Sequence, residues 1–497
     1  MKALPYSAPL LLLWACGSVG GTDATPAAEG PRPNVVLIVV DDQGYADFDP
    51  FAWHDPTIST PNMARLAAAG RVYTEAYVTA PVCSPSRAGL LTGKNQFRWD
   101  GPASWGPGLP EEVRTVAEYL RDAGYVTGRV GKSDLGRNFH KHDAREYPLR
   151  HGYDEFLGFS AHAHDYWLHS EEIRARTPDP YNTSALLGPL MHDEGERGYD
   201  EGYLTDILTD EAIEFVGRHR DTSFFLTLAY NAVHHLIHEA PEAYLEAEGV
   251  AAIPNYDPDS LLAYGKHPEG SYSAYYDKYS RLGAIGQADM RKYYRANLAS
   301  LDDNLGRFLD GLDAAGVTGN TLIVYVSDNG GSPLTGANNA PLTGGKYALW
   351  EGGIRVPLAV VWPGRITPGT QETGYVSAAD LLPTLAAAAD VTLDDPTLDG
   401  ISLLAPPSDE RLLVWKWQKT WAVRRGDWKL TNADENHWKS EPSAQYIAPV
   451  ADDLSLKLFN LADDPGEREE LSARHPEKVA ELRAAYEAWC DAQLGRY

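Results

Sequence analysis

The chain has 497 residues, of which 43% are hydrophobic and 23% are charged, as expected for a large folded protein and not for a disordered one. Its 43 Lys and Arg residues against 70 Asp and Glu residues give a formal net charge of −27, which argues against nucleic acid as a partner. The three cysteines are too few for a disulfide framework.

The N-terminus is typical of an export signal. Lys2 precedes an apolar run at residues 10–15 that is too short to span a bilayer. Residues 13–17 resemble a bacterial lipoprotein box, in which Cys16 would be lipidated after cleavage; the bulky Trp14 leaves plain signal cleavage as the alternative. We therefore expect a lipoprotein-type signal peptide at 1–16, a flexible tether at 17–31, and export to the bacterial periplasm or cell surface. The only membrane contact would be the lipid anchor at Cys16.

Four apolar, β-branched runs predict buried parallel strands, at residues 34–40, 125–130, 224–230 and 321–326. Predicted helices lie between them, at residues 60–69, 111–123, 205–217 and 290–315. Strands that alternate with helices predict an α/β fold with a large, mostly parallel sheet sandwiched by helices. Ligands bind beyond the carboxyl ends of such strands, and each of the four runs is followed by polar or ionisable residues.

The pattern changes after residue 405. Short strand-like runs follow at 412–417, 421–425, 428–431 and 456–461, and a helix is predicted at 476–494. This predicts a small C-terminal antiparallel sheet with a terminal helix. We therefore expect a main domain at 32–405 and a small α+β subdomain at 406–497. Two irregular stretches, at 160–200 and 244–280, are candidate binding loops.

Hard oxygen donors follow two of the predicted strands. Asp41 and Asp42 end the first, and Asp328 and Asn329 end the last. Adjacent carboxylates repel each other unless a cation or a proton intervenes, and oxygen ligands suit Ca²⁺ or Mg²⁺ better than Zn²⁺. A turn or helix cap is the alternative for either pair alone. The two pairs together favour a metal site.

The most informative stretch runs from Cys83 to Lys94, with the sequence Cys-Ser-Pro-Ser-Arg-Ala-Gly-Leu-Leu-Thr-Gly-Lys. It resembles the signature of the type I sulfatases of the alkaline-phosphatase-like superfamily, in which Cys-x-Pro-x-Arg precedes Thr-Gly-Lys or Thr-Gly-Arg. In that family a formylglycine-generating enzyme converts the cysteine to formylglycine, whose hydrate attacks the sulfur of a sulfate ester. The family's Ca²⁺ is bound by an Asp-Asp pair, an Asp-Asn-Gly motif and the modified cysteine, which implies Asp41, Asp42, Asp328, Asn329 and Cys83 here.

Local sequence adds a helix start to this resemblance. Ser84 is the expected N-cap and Pro85 lies in the first turn. The N-terminus of this helix and Arg87 would together hold an anion. An unmodified Cys83 thiol at such a position would be expected to have a lowered pKa.

Residues 131–136, Gly-Lys-Ser-Asp-Leu-Gly, resemble the family block Gly-Lys-Trp-His-Leu-Gly. The resemblance implies that Lys132 binds sulfate. Asp134 stands where the family has a histidine that orients the formylglycine hydroxyl. Asp134 could accept the same hydrogen bond, and His140 or His142 are the alternatives for that role.

Two further blocks supply candidate residues. Residues 231–235 resemble the family's Ala-Pro-His-x-Pro block, so that His234, or alternatively His235, would protonate the leaving alcohol. Residues 345–357 match another block, in which Lys346 would bridge the sulfate and the leaving oxygen, and Arg355 is expected to be structural.

The resemblance therefore implies that residues 32–405 form a catalytic domain that hydrolyses sulfate esters. The expected catalytic residues are Cys83, Arg87, Lys132, His234 and Lys346, of which the last four also bind substrate. A sulfated carbohydrate is the expected substrate. The alternatives are a phosphate or phosphonate ester hydrolase of the same superfamily, and an inert lipoprotein that binds sulfated glycans.

Overall fold

The computed structural model describes residues 32–99, 108–136, 143–177, 187–197, 201–258, 275, 279, 285–405, 410–433 and 454–493. The predicted signal peptide and tether, Cys16, His140 and His142 lie outside these residues. From Arg32 onward the chain forms one compact unit. No described helix combines the length and the apolar character that crossing a bilayer would require.

The central strand of the main sheet, Asn34–Val40, is buried on both of its faces, and helices therefore cover both faces of the sheet. In the run Asn34–Val40, Val36, Ile38 and Val40 face one apolar core, whereas the alternate valines and Leu37 face another. The described strands of this sheet are β1 (Asn34–Val40), β2 (Arg71–Tyr77), β3 (Val126–Lys132), β4 (Glu155–Phe159), β5 (Leu190–His192), β6 (Gly195–Arg197), β7 (Phe224–Ala229), β8 (Thr321–Ser327), β9 (Arg355–Val361), β10 (Thr370–Glu372) and β11 (Val376–Ser377).

The strand order is β10-β2-β9-β8-β1-β7-β3-β4-β5-β6, with β11 beside β2. The central strands β8, β1, β7, β3 and β4 are parallel, whereas β9 runs antiparallel to both β8 and β2, and β5 to both β4 and β6. The predicted mostly parallel sheet is confirmed. Strand β2 and the antiparallel strand β9 were not predicted.

Helices pack on both faces. The described α-helices of this part of the chain are α1 (Pro61–Ala68), α2 (Cys83–Thr92), α3 (Val116–Asp122), α4 (Glu171–Arg176), α5 (Leu204–His219), α6 (Glu242–Ala247), α7 (Gln287–Ala314), α8 (Glu351–Ile354) and α9 (Leu381–Ala388). Apolar residues of α5 and α7 join the first core, and those of α2, α3 and α9 join the second. The helix predicted at 111–123 corresponds to α3, and its predicted start is wrong. Thr115 and Glu118 form a capping box, so the helix begins at Val116.

The predicted C-terminal elements are confirmed. Strands β12 (Leu412–Trp417), β13 (Thr420–Arg425), β14 (Trp428–Thr431) and β15 (Lys457–Asn460) form an antiparallel sheet, and α10 (Pro476–Gln493) packs on it. Trp415 and Phe459 belong instead to the second core of the main sheet. The small sheet therefore shares its interior with the main one.

A buried ion network also joins the two sheets. Lys429 Nζ lies 2.9 Å from Glu351 Oε1 and 2.8 Å from Glu467 Oε1, and the backbone N–H of Glu351 donates to Glu467 Oε2 at 2.6 Å. All three side chains are buried. Glu351 begins α8, five residues after Lys346. The C-terminal sheet thus fixes the segment that carries a predicted site residue.

Replacing Lys429 with Met should lower the free energy of unfolding by about 3–5 kcal/mol, because two buried carboxylates would lose their shared cation. Denaturant unfolding followed by circular dichroism measures this. The control is Arg483→Ala, whose exposed pair with Glu487 at 2.9 Å should be worth less than about 1 kcal/mol. Equal effects of the two substitutions would contradict a structural role for the network.

His151 provides a test of stability against pH. It is buried, its Nδ1 lies 3.1 Å from the Arg145 carbonyl oxygen, and burial together with the charges of Arg129 and Arg145 lowers its pKa to about 3. The unfolded chain therefore binds a proton at this residue from about pH 6.5 downward, whereas the folded chain does not. His151→Asn should flatten the loss of stability between pH 6 and 4 by about 1.4 kcal/mol per pH unit relative to the wild type. If the free energy of unfolding fell with the same slope in both proteins between pH 6 and 4, the lowered pKa of His151 would be contradicted.

Candidate active site

The predicted oxygen donors meet at one edge of the main sheet. Strands β1 and β8 are parallel neighbours with Val40 opposite Ser327, so Asp41 and Asp328 leave the sheet side by side. The Asp328 N–H donates to the Val40 carbonyl oxygen at 3.0 Å, and the Asp42 N–H donates to Asp328 Oδ1 at 3.2 Å. The two predicted pairs therefore form one buried cluster.

This cluster is suited to a cation. Asn329 Nδ2 donates to Asp42 Oδ1 at 2.7 Å, while Asn329 Oδ1 is buried without a hydrogen-bond donor. Cys83 Sγ lies 3.5 Å from Asp41 Oδ1 and 3.9 Å from Asp42 Oδ1. Potential ligand atoms of Asp41, Asp42, Cys83 and His234 all lie within 4.8 Å of one another. The orphaned amide oxygen and the adjacent carboxylates are the donors that Ca²⁺ or Mg²⁺ prefers.

Cationic side chains face these carboxylates. The closest ion pairs are Arg87 Nε–Asp328 Oδ2 at 2.8 Å, Lys132 Nζ–Asp41 Oδ2 at 2.6 Å and Lys346 Nζ–Asp42 Oδ2 at 2.8 Å. Burial alone would lower the pKa of Lys132, but Asp41 raises it above its usual value, so the ammonium group stays charged. Arg87 Nη2 is buried without a hydrogen-bond partner. The site thus offers an anion fixed positive charge and an N–H donor that makes no hydrogen bond.

Cys83 is the first residue of α2, and all ten residues of that helix are buried. The predicted cap is wrong: Val82 is the N-cap residue, and Ser84 Oγ instead donates to Asp134 Oδ1 at 2.5 Å. The expected lowered thiol pKa is also wrong. Burial raises the pKa of Cys83 well above its usual value, despite the opposing charges of Lys132 and Lys346. An unmodified thiol would therefore be a poor nucleophile here.

Asp134 lies in the loop after β3, with a positive backbone φ of 50°. Its Oδ2 is 3.3 Å from Lys132 Nζ. Burial opposes ionisation of Asp134, but Lys132 and Arg87 hold its pKa below the usual value, so it is a carboxylate. Beneath the loop, Arg129 donates to the carbonyl oxygens of Lys132 and Ser133. Nothing in the sequence pattern indicated the contacts of Asp134 with Ser84 or those of Arg129.

Both candidate histidines are buried after β7, with ring centroids 4.2 Å apart. His234 Nε2 lies 3.7 Å from Asp42 Oδ2. Burial, followed by the positive charge of Lys346, holds the pKa of His234 well below its usual value. Tyr166 OH contacts the Asn231 and His234 carbonyl oxygens at 3.2 and 3.4 Å, which fixes the turn that carries His234.

His162 was missed by the sequence analysis. It follows β4 in a loop whose two ends are fixed: the Ser133 N–H donates to the Phe159 carbonyl oxygen at 2.9 Å, and Asn231 Nδ2 donates to the His164 carbonyl oxygen at 3.0 Å. Burial lowers the pKa of His162 to about 4, and Asp134, Lys132 and Lys346 are the charges that act on it. The histidine-rich stretch at 160–200 was the available signal, but no motif singled out this residue.

Arg355 agrees with its expected structural role. Its Nε donates to the Thr74 carbonyl oxygen at 2.8 Å, and its guanidinium pairs with Glu351 and Glu75, each at 3.6 Å. The structure therefore assembles the predicted site residues around Cys83 and leaves Arg355 in the packing between β9 and β2.

The sequence model of the family described as Sulfatase matches residues 33–391, which contain all of these residues. The chain belongs to the sulfatase family. It is a sulfuric ester hydrolase. Human N-acetylgalactosamine-6-sulfatase is 30% identical over 490 residues, covering 90% of this chain and 83% of the relative. Bovine arylsulfatase A is 30% identical over 480 residues, covering 89% and 83%.

Solved structures show the same fold. The sulfatase chain superposes on Ps i-CgsB, crystallised in complex with k-i-k-neocarrahexaose, with a TM-score of 0.73 and 27% identity, covering 93% of this chain and 94% of that one. The fold is also shared with the phosphonate monoester hydrolase of Agrobacterium radiobacter, at a TM-score of 0.61 and 21% identity, covering 92% and 96%.

Proposed function

We propose that this sulfatase hydrolyses sulfate esters of a carbohydrate through a formylglycine made from Cys83, with Ca²⁺ as the bound cation and Mg²⁺ as the alternative. The observation that carries the proposal is the buried convergence of carboxylates and cations on Cys83 at the start of a helix. The carbohydrate class is supported by the name of the human relative and by the oligosaccharide bound to Ps i-CgsB.

The cation would be held by Asp41, Asp42, Asp328 and Asn329, together with the modified residue 83. When bound, it would offset negative charge on the sulfate group and on the transition state. The chain's own part is to hold these ligands close together. The strand-end hydrogen bonds of Asp42 and Asp328 and the Asn329–Asp42 contact hold these side chains in place.

Formylglycine would supply the nucleophilic hydroxyl that the poorly acidic Cys83 thiol does not. Arg87 and Lys132 would orient the sulfate group, because both are buried, charged and fixed by carboxylates. Arg87 Nη2, which makes no hydrogen bond and lies 3.8 Å from Asp41 Oδ2, is a donor available to a sulfate oxygen. Fixed donors in a buried site stabilise developing charge more than solvent does.

His234 and Lys346 would act on the leaving alcohol. His234 would donate a proton to it, and Lys346 would lie between sulfate and leaving oxygen. Burial is the largest cause of the lowered His234 pKa and the charge of Lys346 is the next, and a bound sulfate ester would offset the second of these.

The remaining proposals concern maturation and location. Because every residue of α2 is buried, the formylglycine-generating enzyme would act on Cys83 before the chain folds. We further propose export to the bacterial periplasm or cell surface with a lipid anchor at Cys16, and retain the catalytic domain at 32–405 and the subdomain at 406–497.

The test is release of inorganic sulfate from a panel of sulfated mono-, oligo- and polysaccharides, with protein matured in a host that makes formylglycine. Aryl phosphate and phosphonate esters form the second arm. Release of sulfate from one saccharide class identifies the substrate. Turnover of phosphorus esters without any sulfate release would overturn the proposal in favour of a phosphate or phosphonate ester hydrolase.

A further inference from the structure

Asp134 is a buried carboxylate that the sulfatase mechanism above does not use. It is 3% exposed, accepts from Ser84 Oγ at 2.5 Å and lies 3.3 Å from Lys132 Nζ. Lys132 already has a closer carboxylate partner in Asp41, at 2.6 Å. Asp134 therefore adds a second negative charge beside Lys132, in a site built to bind an anion.

The carboxylate is close to the reacting residue. Asp134 contacts Lys132, Lys132 contacts Asp41, and Asp41 Oδ1 lies 3.5 Å from Cys83 Sγ. Asp134 is also bonded to Ser84, the residue after Cys83. Any ester group held by Lys132 at residue 83 therefore lies within range of a direct electrostatic interaction with Asp134.

We propose that Asp134 is a specificity-determining residue that makes the site favour ester groups with one negative charge over those with two. The inference rests on the proposed function. A sulfate monoester carries one negative charge, whereas a phosphate monoester carries about −1.5 to −2 at pH 7. Shape does not separate the two groups, since both are tetrahedral oxyanions, so charge is the property available for discrimination.

The groups that face Asp134 fix its charge. They are Lys132 and Arg87, the buried Arg129 behind the loop, His162 from the loop after β4, and the Ser84 hydroxyl from α2. The ammonium and guanidinium groups favour the carboxylate form. In a buried site a unit charge several ångströms away changes the binding of a second unit charge by about 10- to 100-fold.

The negative charge of Asp134 also affects how tightly the product, inorganic sulfate, binds. Inorganic sulfate leaves as a dianion, whereas the substrate ester binds as a monoanion. Asp134 therefore weakens product binding more than substrate binding. Removing its charge should tighten inhibition by sulfate while the KM for the ester changes less.

The test compares three p-nitrophenyl esters: the sulfate, a phosphonate monoester with one negative charge, and the phosphate. With Asp134→Asn, the kcat/KM for phosphate relative to sulfate should rise by about 10- to 100-fold at pH 8. The phosphonate-to-sulfate ratio should stay within about 3-fold, and Asp134→Glu should keep the wild-type ratios. Calorimetric titration of inorganic sulfate into Cys83→Ala and into Cys83→Ala/Asp134→Asn provides the binding arm, and the second protein should bind more tightly.

The matched control is Asp154→Asn. It makes the same Asp-to-Asn change elsewhere in the chain. Asp154 accepts hydrogen bonds from the N–H and the hydroxyl of Thr127, near the opposite end of β3. Its ratios should equal those of the wild type. If Asp134→Asn does not fold, the wild type still provides a test, because its discrimination against the phosphate ester should shrink as pH falls through about 6 and the ester becomes a monoanion. Unchanged ratios in an active Asp134→Asn enzyme, or no such shrinkage, would overturn the inference. A wild type that releases no sulfate would instead overturn the proposed function.

Discussion

Replacing Asp328 with Asn should abolish cation binding and lower kcat/KM for sulfate release by at least about 10³-fold. Asp328 is buried, lies beside Asp41 at the sheet edge and binds Arg87 at 2.8 Å, so the change removes a proposed cation ligand and the fixed partner of a proposed sulfate-binding group. The measurement is initial-rate sulfate release with Ca²⁺ or Mg²⁺ added to metal-free protein.

Thermal unfolding separates loss of the cation from loss of the ion pair. A ligand at 100 times its Kd stabilises the folded state by about 2.7 kcal/mol, so Ca²⁺ should raise the Tm of the wild type and of Asp154→Asn. It should leave the Tm of Asp328→Asn unchanged. The same Ca²⁺-dependent increase in all three proteins would place the cation elsewhere.

Replacing His234 with Gln should lower kcat for saccharide sulfates by about 10²- to 10⁴-fold, because an alcohol leaves poorly without a proton. The loss should be much smaller with p-nitrophenyl sulfate, whose phenolate leaves unprotonated. A purely structural role would not produce this dependence on the leaving group. The measurement is a series of sulfate esters with leaving groups of decreasing acidity.

His235→Gln is the matched control, since the two buried rings are in contact at 4.2 Å between centroids. It should reduce the rates of all esters in the series to a similar extent. A steep leaving-group dependence in His235→Gln and a flat one in His234→Gln would exchange the two roles.

Strands β1 and β8, which are buried on both faces, were predicted from sequence, whereas the equally buried β9 was not. The strand Asn34–Val40 and the strand Thr321–Ser327 are continuous apolar runs, and each is wholly buried. Strand β2 was not predicted because its burial is uneven and it pairs antiparallel with β9, a pairing that depends on distant residues. The start of α3 required the capping contact between Thr115 and Glu118, which the apolar pattern alone does not specify.

Some contacts of the site could likewise be predicted from the sequence and others could not. Convergence of Asp41 and Asp328 follows from parallel strands that end at one edge. The partners of Asp134 could not be predicted, because Ser84 lies 50 positions away and is brought to it by the packing of α2 against the end of β3. His162 lies in an irregular loop whose position is set by hydrogen bonds from Ser133 and Asn231, and such contacts have no sequence period.

The proposed mechanism requires that Cys83 becomes the formylglycine nucleophile of this sulfatase. The most direct test is mass spectrometry of the Cys83 peptide, together with sulfate release by the same preparation and by Cys83→Ala. We expect an aldehyde at residue 83, activity in proportion to the fraction converted, and loss of at least about 10⁴-fold in Cys83→Ala. Full activity from protein whose Cys83 remains a thiol, or from Cys83→Ala, would contradict it.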